Sequence, residues 1–212
     1  VTYNIFFQIY GRVEKSISCE EDKRIKVEII NLNKNFQYRI YKITSGRLYT
    51  DRIQDTAVLI DNKIIKEPSF QLRKKENYGI HNSNIKDNIV FRIGTPRKLR
   101  TINGSVLSLL TGGAGNNNYW HWLFDVLPRL AICNKFYSLD KIDFFLLPDS
   151  TKRFQYETLD ALNISIKQRL SSAKFRHIKT QKLIITDHPV VTSGNPTKDI
   201  MNIPEWIPLW FR

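Results

Sequence analysis

Short apolar runs separated by Gly, Asn and Asp dominate the first third of the chain. Runs of this length, rich in β-branched and aromatic residues and bounded by turn residues, are typical of β-strands. The sequence therefore predicts a small β-rich region over residues 1–66. Its predicted strands lie in YNIFFQIY, RIKVEII, FQYRIYKIT, GRLYTD and AVLID.

The pattern changes after residue 66. Residues 67–87 are polar and contain Pro68 and Gly79, which is typical of a connecting segment. Further on, Asn103 and Gly104 stand between two β-type runs, as a tight hairpin turn requires. We therefore expect a hairpin at this dipeptide.

From Ser105 onward, strand-like and helix-like segments alternate. The strand-like runs are SVLSLLT, DFFLLP, KFRHI and KLIITD. One helix is predicted from about residue 117 to 136, and TKRFQYETLDAL predicts another, with Thr151 as its N-cap. This alternation is the βαβ signature of a parallel sheet flanked by helices, so the predicted fold class is α/β, with an α/β lobe over residues 67–212.

The first of these helices carries an unusual set of polar and aromatic side chains in NYWHWLFDVLPRL, residues 118–130. At about 100° per residue, five of them share one side, whereas most of the circumference is apolar. A helix this apolar is largely buried, so the polar side is expected to face a cleft. Its members are Asn118, His121, Trp122, Asp125 and Arg129.

His121 and Asp125 lie four residues apart on this side, so the carboxylate can orient or charge the imidazole. Either group can take a proton from a hydroxyl nucleophile. The same spacing permits a structural alternative, in which Asp125 pairs with Arg129 and His121 is a hydrogen-bonded interior histidine. Pro128 removes one backbone donor and frees the carbonyl of Phe124, which predicts a kink.

A loop of small and amide residues, TGGAGNNN, precedes this helix. Backbone amides at a strand-to-helix junction can bind an anion. The loop lacks the third glycine of the dinucleotide fingerprint and is not followed by the Gly-Lys-Ser/Thr of a P-loop. Gly112, Gly113 and Gly115 therefore either contact a ligand or allow close packing.

Charge adds a preference for anionic partners. The chain has 33 Lys and Arg against 20 Asp and Glu, a net charge of +13, which favours phosphates, anionic membrane surfaces or acidic sugars. The basic residues are scattered, with no run longer than RKK at 73–75, so no nucleic-acid partner is expected. An alternative reading as a basic nucleic-acid binder requires affinity that falls steeply with salt.

Several classes of site and location are not expected. Cys19 and Cys133 match no metal or redox spacing, which favours buried thiols in a reducing compartment. No Asp-x-Asp pair and no His/Cys cluster has ligand spacing, so neither a metal nor a cofactor is expected. No apolar run approaches the roughly 18 residues of a membrane span. The expected location is the cytoplasm, with peripheral contact with the inner membrane.

The string NYWHWLFDVLPRL resembles the motif of glycosyltransferase family 61, in which Asn, an aromatic pair and His precede Asp, an apolar pair, Pro and Arg. The similarity extends over most of the chain from about residue 40. Its further segments are GRLYTDR, PSFQLR, GTPRKL and GSVLSLLTGGAG before the motif and ETLDALNI after it.

The resemblance implies inverting, metal-independent transfer of a sugar from a nucleotide-sugar donor to a hydroxyl of a glycan acceptor, as in capsular or surface polysaccharide biosynthesis. It also implies a two-lobed, GT-B-like fold of facing Rossmann-like domains. Nothing here matches the His-Gly-Ala-Gly-Leu-like motif of the second, donor-binding lobe. The chain is therefore expected to be the first lobe with its β-rich preface, and to lack the C-terminal lobe.

The expected catalytic residues are His121 and Asp125, either of which can be the base. The expected substrate-binding residues are Gly112, Gly113, Gly115, Asn118, Trp122 and Arg129. A second hypothesis, from another class, is a module that binds a glycan or nucleotide without chemistry. In that case Tyr119, Trp120 and Trp122 offer the stacking faces.

Overall fold

The computed structural model describes residues 2–33, 36–53, 55–70, 84–92, 95–110, 118–190 and 201–212. The strands are β1 (Lys15–Ile17), β2 (Ile25–Asn33), β3 (Phe36–Thr44), β4 (Arg47–Thr50), β5 (Thr56–Ile60), β6 (Lys63–Ile65), β7 (Arg100–Ser108), β8 (Phe144–Leu147), β9 (Arg169–Ser171) and β10 (His177–Thr186). The helices are α1 (Thr2–Tyr10), α2 (Lys66–Ser69), α3 (Tyr119–His121), α4 (Pro128–Asn134), α5 (Arg153–Ala161) and α6 (Trp206–Trp210). A π-helical turn covers Trp122–Val126, and 3-10 turns cover Cys19–Glu21, Ile85–Asp87, Ile89–Phe91, Leu139–Lys141 and Ile166–Gln168.

The strands of the described chain form one sheet that crosses the boundary expected at residue 66. Its main order is β1-β6-β5-β4-β10-β7-β8-β9, and β3 lies between β10 and β2. One edge of β10 pairs antiparallel with β4 near its start and with β3 near its end. Its other edge pairs parallel with β7. The β-rich region and the α/β region therefore share a sheet.

Four neighbouring strands, in the order β9-β8-β7-β10, are all parallel. Segments containing α4 and α5 connect β7 to β8 and β8 to β9, so the predicted alternation of strands and helices is confirmed there. The chain moves outward from β7 to β9 and then returns to the other side of β7. Where strand order reverses in this way, a crevice forms beyond the carboxyl ends of the two central strands.

Alternating side chains along β5 enter two different hydrophobic clusters. Val58 and Ile60 belong to the larger core, which also contains residues of the π-turn and α4. Ala57 and Leu59 belong to a second cluster with Phe6 of α1. Because successive side chains of a strand point to opposite faces, the sheet is covered on both sides at β5.

The prediction of a strand at YNIFFQIY is wrong, because these residues form α1. Aromatic and β-branched residues favour strands locally, but tertiary packing overrides this preference. In the helix, Phe6 and Tyr10 come to the same side, with ring centroids 5.2 Å apart. Phe6 is 1% exposed and packs on Tyr49 of β4.

The predicted hairpin at Asn103 and Gly104 is also wrong, since β7 runs straight through both residues. The register with β10 passes from the pair Ile102 and Thr180 to the pair Ser105 and Lys182, so two residues of β7 face one of β10. This is a β-bulge. Gly104 adopts φ +124°, and a Cβ there would lie 2.6 Å from Oδ2 of Asp143, which explains the glycine.

Two smaller expectations need correction. KFRHI and KLIITD contribute to the single strand β10 rather than forming two strands. The N-cap of α5 is Lys152 and not Thr151. Cys19 and Cys133 are buried free thiols, as predicted.

A buried pair, Arg47 and His177, joins the sheet to α1. Arg47 donates from Nε to Nε2 of His177 at 2.8 Å, so Nδ1 of the imidazole carries the proton and donates to the carbonyl of Arg97 at 2.9 Å. The rings of Phe6 and Tyr10 each lie 5.3 Å from the guanidinium carbon. Burial, together with the charge of Arg47, lowers the pKa of His177 to about 3.

This depressed pKa predicts sensitivity to acid. The unfolded chain takes up a proton at His177 near pH 6.5, whereas the folded chain does so only near pH 3, so stability is lost as the pH falls between these values. His177→Gln keeps an acceptor for Arg47 but cannot titrate. We expect the free energy of unfolding of the wild type to fall by about 1.4 kcal/mol more per pH unit than that of the variant between pH 6 and 5, in urea titrations. Parallel pH dependences would contradict this assignment.

Candidate functional site

Asn118 fixes the start of the helix that carries the predicted site. Its side-chain oxygen accepts the backbone N–H of Trp120 at 2.8 Å and that of His121 at 3.4 Å. This is an N-cap, which satisfies amides that the first turn leaves without partners. Asn118 therefore sets the direction in which His121 leaves the helix start, although it was expected to contact substrate.

The helix widens to a π-turn immediately before Pro128. The amide of Leu127 donates to the carbonyl of Trp122 at 3.0 Å, a bond across five residues instead of four. Pro128 has no N–H for the carbonyl of Phe124, so the regular ladder cannot continue there. A kink was predicted at Pro128; the structure has a π-turn immediately before it, a feature found frequently at functional sites.

His121 and Asp125 form a close pair on this widened turn. Nδ1 of His121 lies 2.5 Å from Oδ2 of Asp125. The side chain of His121 is 44% exposed, whereas that of Asp125 is 11% exposed. The hydrogen bond to Asp125 raises the pKa of His121, partial burial opposes the rise, and the charge of Asp125 adds to it. The imidazole therefore donates from Nδ1 to the Asp125 carboxylate, and Nε2 is the ring nitrogen on the side away from Asp125.

A second histidine reaches the same carboxylate from the end of β10. Nε2 of His188 lies 3.5 Å from Oδ1 of Asp125, so the two carboxylate oxygens face two different imidazoles. Nδ1 of His188 lies 2.8 Å from the carbonyl oxygen of Val190 and 3.2 Å from its amide nitrogen. The side chain of His188 is 9% exposed.

Sequence reasoning missed His188, because DHP at 187–189 resembles an ordinary turn. The available signal was its position directly after the strand-like run KLIITD. Residues that follow parallel strands meet at one edge of a sheet, where binding sites are found. The structure brings His188 to the pair in this way.

Trp122 and Arg129 are buried completely, each with 0% exposure. The indole N–H of Trp122 donates to the hydroxyl of Thr158 at 2.9 Å. Arg129 donates from Nε to the carbonyl of Asp125 at 2.7 Å and from Nη1 to the carbonyl of Thr186 at 3.4 Å. Neither side chain is accessible to a substrate in this structure, although both were expected to bind one.

The remaining residues expected to bind substrate, Gly112, Gly113 and Gly115, lie outside the described residues. The position of the site in the fold follows from the ends of two neighbouring strands, β7 and β10. β7 and β10 are adjacent and parallel; the glycine-rich loop and the helix follow β7, and His188 follows β10. The pair His121 and Asp125 thus belongs to the segment that follows the strand at which the order reverses.

Two exposed aromatic side chains immediately precede His121 in the sequence. Tyr119 is 56% exposed and Trp120 is 38% exposed. Tyr119 has a ring contact with Phe154 at 4.9 Å, and Trp120 has one with Phe124 at 4.3 Å. Such rings offer apolar faces together with polar groups, which suits the surface of a sugar.

The chemistry that this arrangement supports is proton transfer. In the described part of the chain, no three His, Cys, Asp or Glu side chains are grouped so that they could hold a metal ion. Across the same residues, no helix has the length and apolar character needed to cross a membrane.

Comparisons of the chain with protein-family models, curated proteins and solved structures give no match.

The raised pKa of His121 can be measured directly. In the wild type we expect its imidazole to titrate above the ordinary value of 6.5 in NMR spectra. Asp125→Asn removes the anionic acceptor, and the remaining effect of partial burial lowers the pKa, so the midpoint should fall to 6.5 or below. Glu157→Asn, at an exposed pair on α5, is the control and should leave the midpoint unchanged. An unchanged midpoint in Asp125→Asn would show that the pair does not form.

Proposed function

We propose that the chain is the acceptor-side lobe of an inverting, metal-independent glycosyltransferase that moves a sugar from a nucleotide-sugar donor to a hydroxyl of a glycan acceptor. The observation that carries the proposal is the half-exposed His121 held at 2.5 Å by the nearly buried Asp125. The resemblance of residues 118–130 to the motif of glycosyltransferase family 61 supplies the reaction class. Polysaccharide biosynthesis is the process in which we place it.

In the proposed reaction, Nε2 of His121 removes the proton of the acceptor hydroxyl. The hydroxyl oxygen attacks the anomeric carbon as the bond from that carbon to the diphosphate oxygen breaks, so the configuration inverts. The proton ends on His121, and the carboxylate of Asp125 stabilises the imidazolium that forms. The electron pair of the broken bond leaves with the nucleotide diphosphate.

Exposure favours His121 over Asp125 as the base. A base must reach the hydroxyl proton within hydrogen-bond distance. His121 is the more exposed of the two, and both oxygens of Asp125 face imidazole nitrogens. Asp125 accordingly acts as a positioning residue that selects the tautomer of His121, with His188 as its second partner.

The remaining parts of the proposal depend on the fold and the charge. The parallel order β9-β8-β7-β10 corresponds to strands 3-2-1-4 of a dinucleotide-binding sheet, which supports a Rossmann-like lobe in a GT-B-like enzyme. A second lobe would bind the donor together with Gly112, Gly113 and Gly115. We place the enzyme in the cytoplasm, and the net charge of +13 supports its peripheral contact with the anionic surface of the inner membrane.

The proposal predicts the kinetics of site variants. In the full-length protein that contains these residues, His121→Ala should lower kcat by about 10²- to 10⁴-fold, the usual contribution of a general base. Asp125→Asn should also lower kcat, because the imidazole loses its orienting partner. Turnover is measured with nucleotide sugars and glycan acceptors, and Glu157→Gln, an exposed carboxylate on α5, is the matched control.

Wild-type turnover in both site variants would contradict the roles assigned to them.

The second candidate function, a glycan-binding module, is favoured by the exposed rings of Tyr119 and Trp120. Tight glycan binding in calorimetry, with no turnover by the full-length protein, would select the module instead.

A further inference from the structure

Asp187, the residue that follows β10, holds an arginine at the same end of the sheet. Its Oδ2 accepts Nε of Arg39 at 3.0 Å and the backbone N–H of Arg39 at 2.9 Å. Its Oδ1 accepts the hydroxyl of Tyr41 at 2.8 Å. Tyr41 is completely buried, so this carboxylate is fixed against the core and in turn fixes Arg39.

Nη1 and Nη2 form the outer edge of the Arg39 guanidinium, which is partly exposed to solvent. The Asp187 carboxylate takes up Nε, and within the described part of the chain no acceptor lies in hydrogen-bond range of Nη1 or Nη2. The Arg39 side chain is 39% exposed. Two parallel N–H groups on one planar edge match the two oxygens of a carboxylate or phosphate.

Other arginines of the fold are used differently. Arg24 contacts two carboxylates, those of Asp22 and Asp61, and is thereby neutralised. Arg129 is buried; its Nε and Nη1 donate to main-chain carbonyls, and its Nη2 has no hydrogen-bond partner among the described residues. Arg39 combines one carboxylate partner with an exposed outer edge.

Residues at the end of β10 connect Arg39 to the pair that contains the proposed base. The partner of Arg39, Asp187, precedes His188 in the chain, and His188 lies 3.5 Å from the carboxylate that holds His121. Consecutive Cα atoms are about 3.8 Å apart, so one short segment links the Arg39 ion pair to the His121 and Asp125 pair. A substrate that is bound beside His121 and extends to the end of β10 would place an anionic group at Arg39.

We propose that Arg39 binds an oxyanion of the substrate, in a bidentate manner, at the end of β10. The source is either a carboxylate of an acidic acceptor sugar or the diphosphate of the donor. The identity of this ligand rests on the proposed glycosyl transfer, whereas the site itself rests on the geometry of Arg39 and Asp187.

The test is calorimetric titration of the whole chain, at low salt, with two separate probes: inorganic pyrophosphate and glucuronate. We expect the wild type to bind one probe more tightly, which identifies the donor or the acceptor as the source. Arg39→Gln should weaken that binding about tenfold or more, since it removes a charge-assisted bidentate contact. Arg153→Gln, which removes an exposed arginine on α5, should leave it unchanged.

A second variant, Arg39→Lys, keeps the positive charge. Together with thermal melts of each variant, it tests whether weaker binding is caused by a loss of folding. It should bind the probe more weakly than the wild type, because a lysine lacks the planar fork. Equal binding by wild type and Arg39→Gln, or no binding of either probe by the wild type, would overturn the inference. Because no turnover is measured, its failure is distinct from that of the proposed function, which His121→Ala tests.

Discussion

The geometry of the candidate site depends on one buried guanidinium. Arg129 is fully enclosed and donates to two main-chain carbonyls, that of Asp125 on the π-turn and that of Thr186 at the end of β10. Burial lowers its pKa to about 10, which the charges of Asp125 and Asp187 oppose, so Arg129 is charged at neutral pH. Leaving such a charge without acceptors is costly, and this cost ties the π-turn to the end of the strand.

These two hydrogen bonds of Arg129 determine which side chains meet at the site. They hold the Asp125 backbone beside the end of β10, where the chain continues into Asp187 and His188. The Asp125 carboxylate can then face His121 on its own helix and His188 from the strand end. The site is thus assembled from two segments more than 60 residues apart in sequence, by an arginine that does not itself reach solvent.

The sequence could predict the features that local spacing determines. The alternation after Ser105 indicated the parallel unit, and the spacing of four indicated the His121 and Asp125 pair. Pro128 indicated a kink, where the structure has a π-turn. The sequence could not predict that Arg129 would turn inward, because helical periodicity places it on the polar side whatever packs against that side. α1, the bulge at Gly104 and the approach of His188 were missed for a related reason, since each depends on contacts between distant parts of the chain.

We propose that His121, oriented by Asp125, is the base of a transfer reaction. The most direct test of this role is the pH dependence of kcat/KM for sugar transfer, which reports the pKa of the essential base in the free protein. If His121 is the base, activity should rise with pH through a midpoint above 6.5, matching the NMR titration of the same imidazole, and the midpoint should move down in Asp125→Asn. An acid limb with a midpoint near 4, the ordinary range of a carboxylic acid, would contradict the claim and assign the role to a carboxylate.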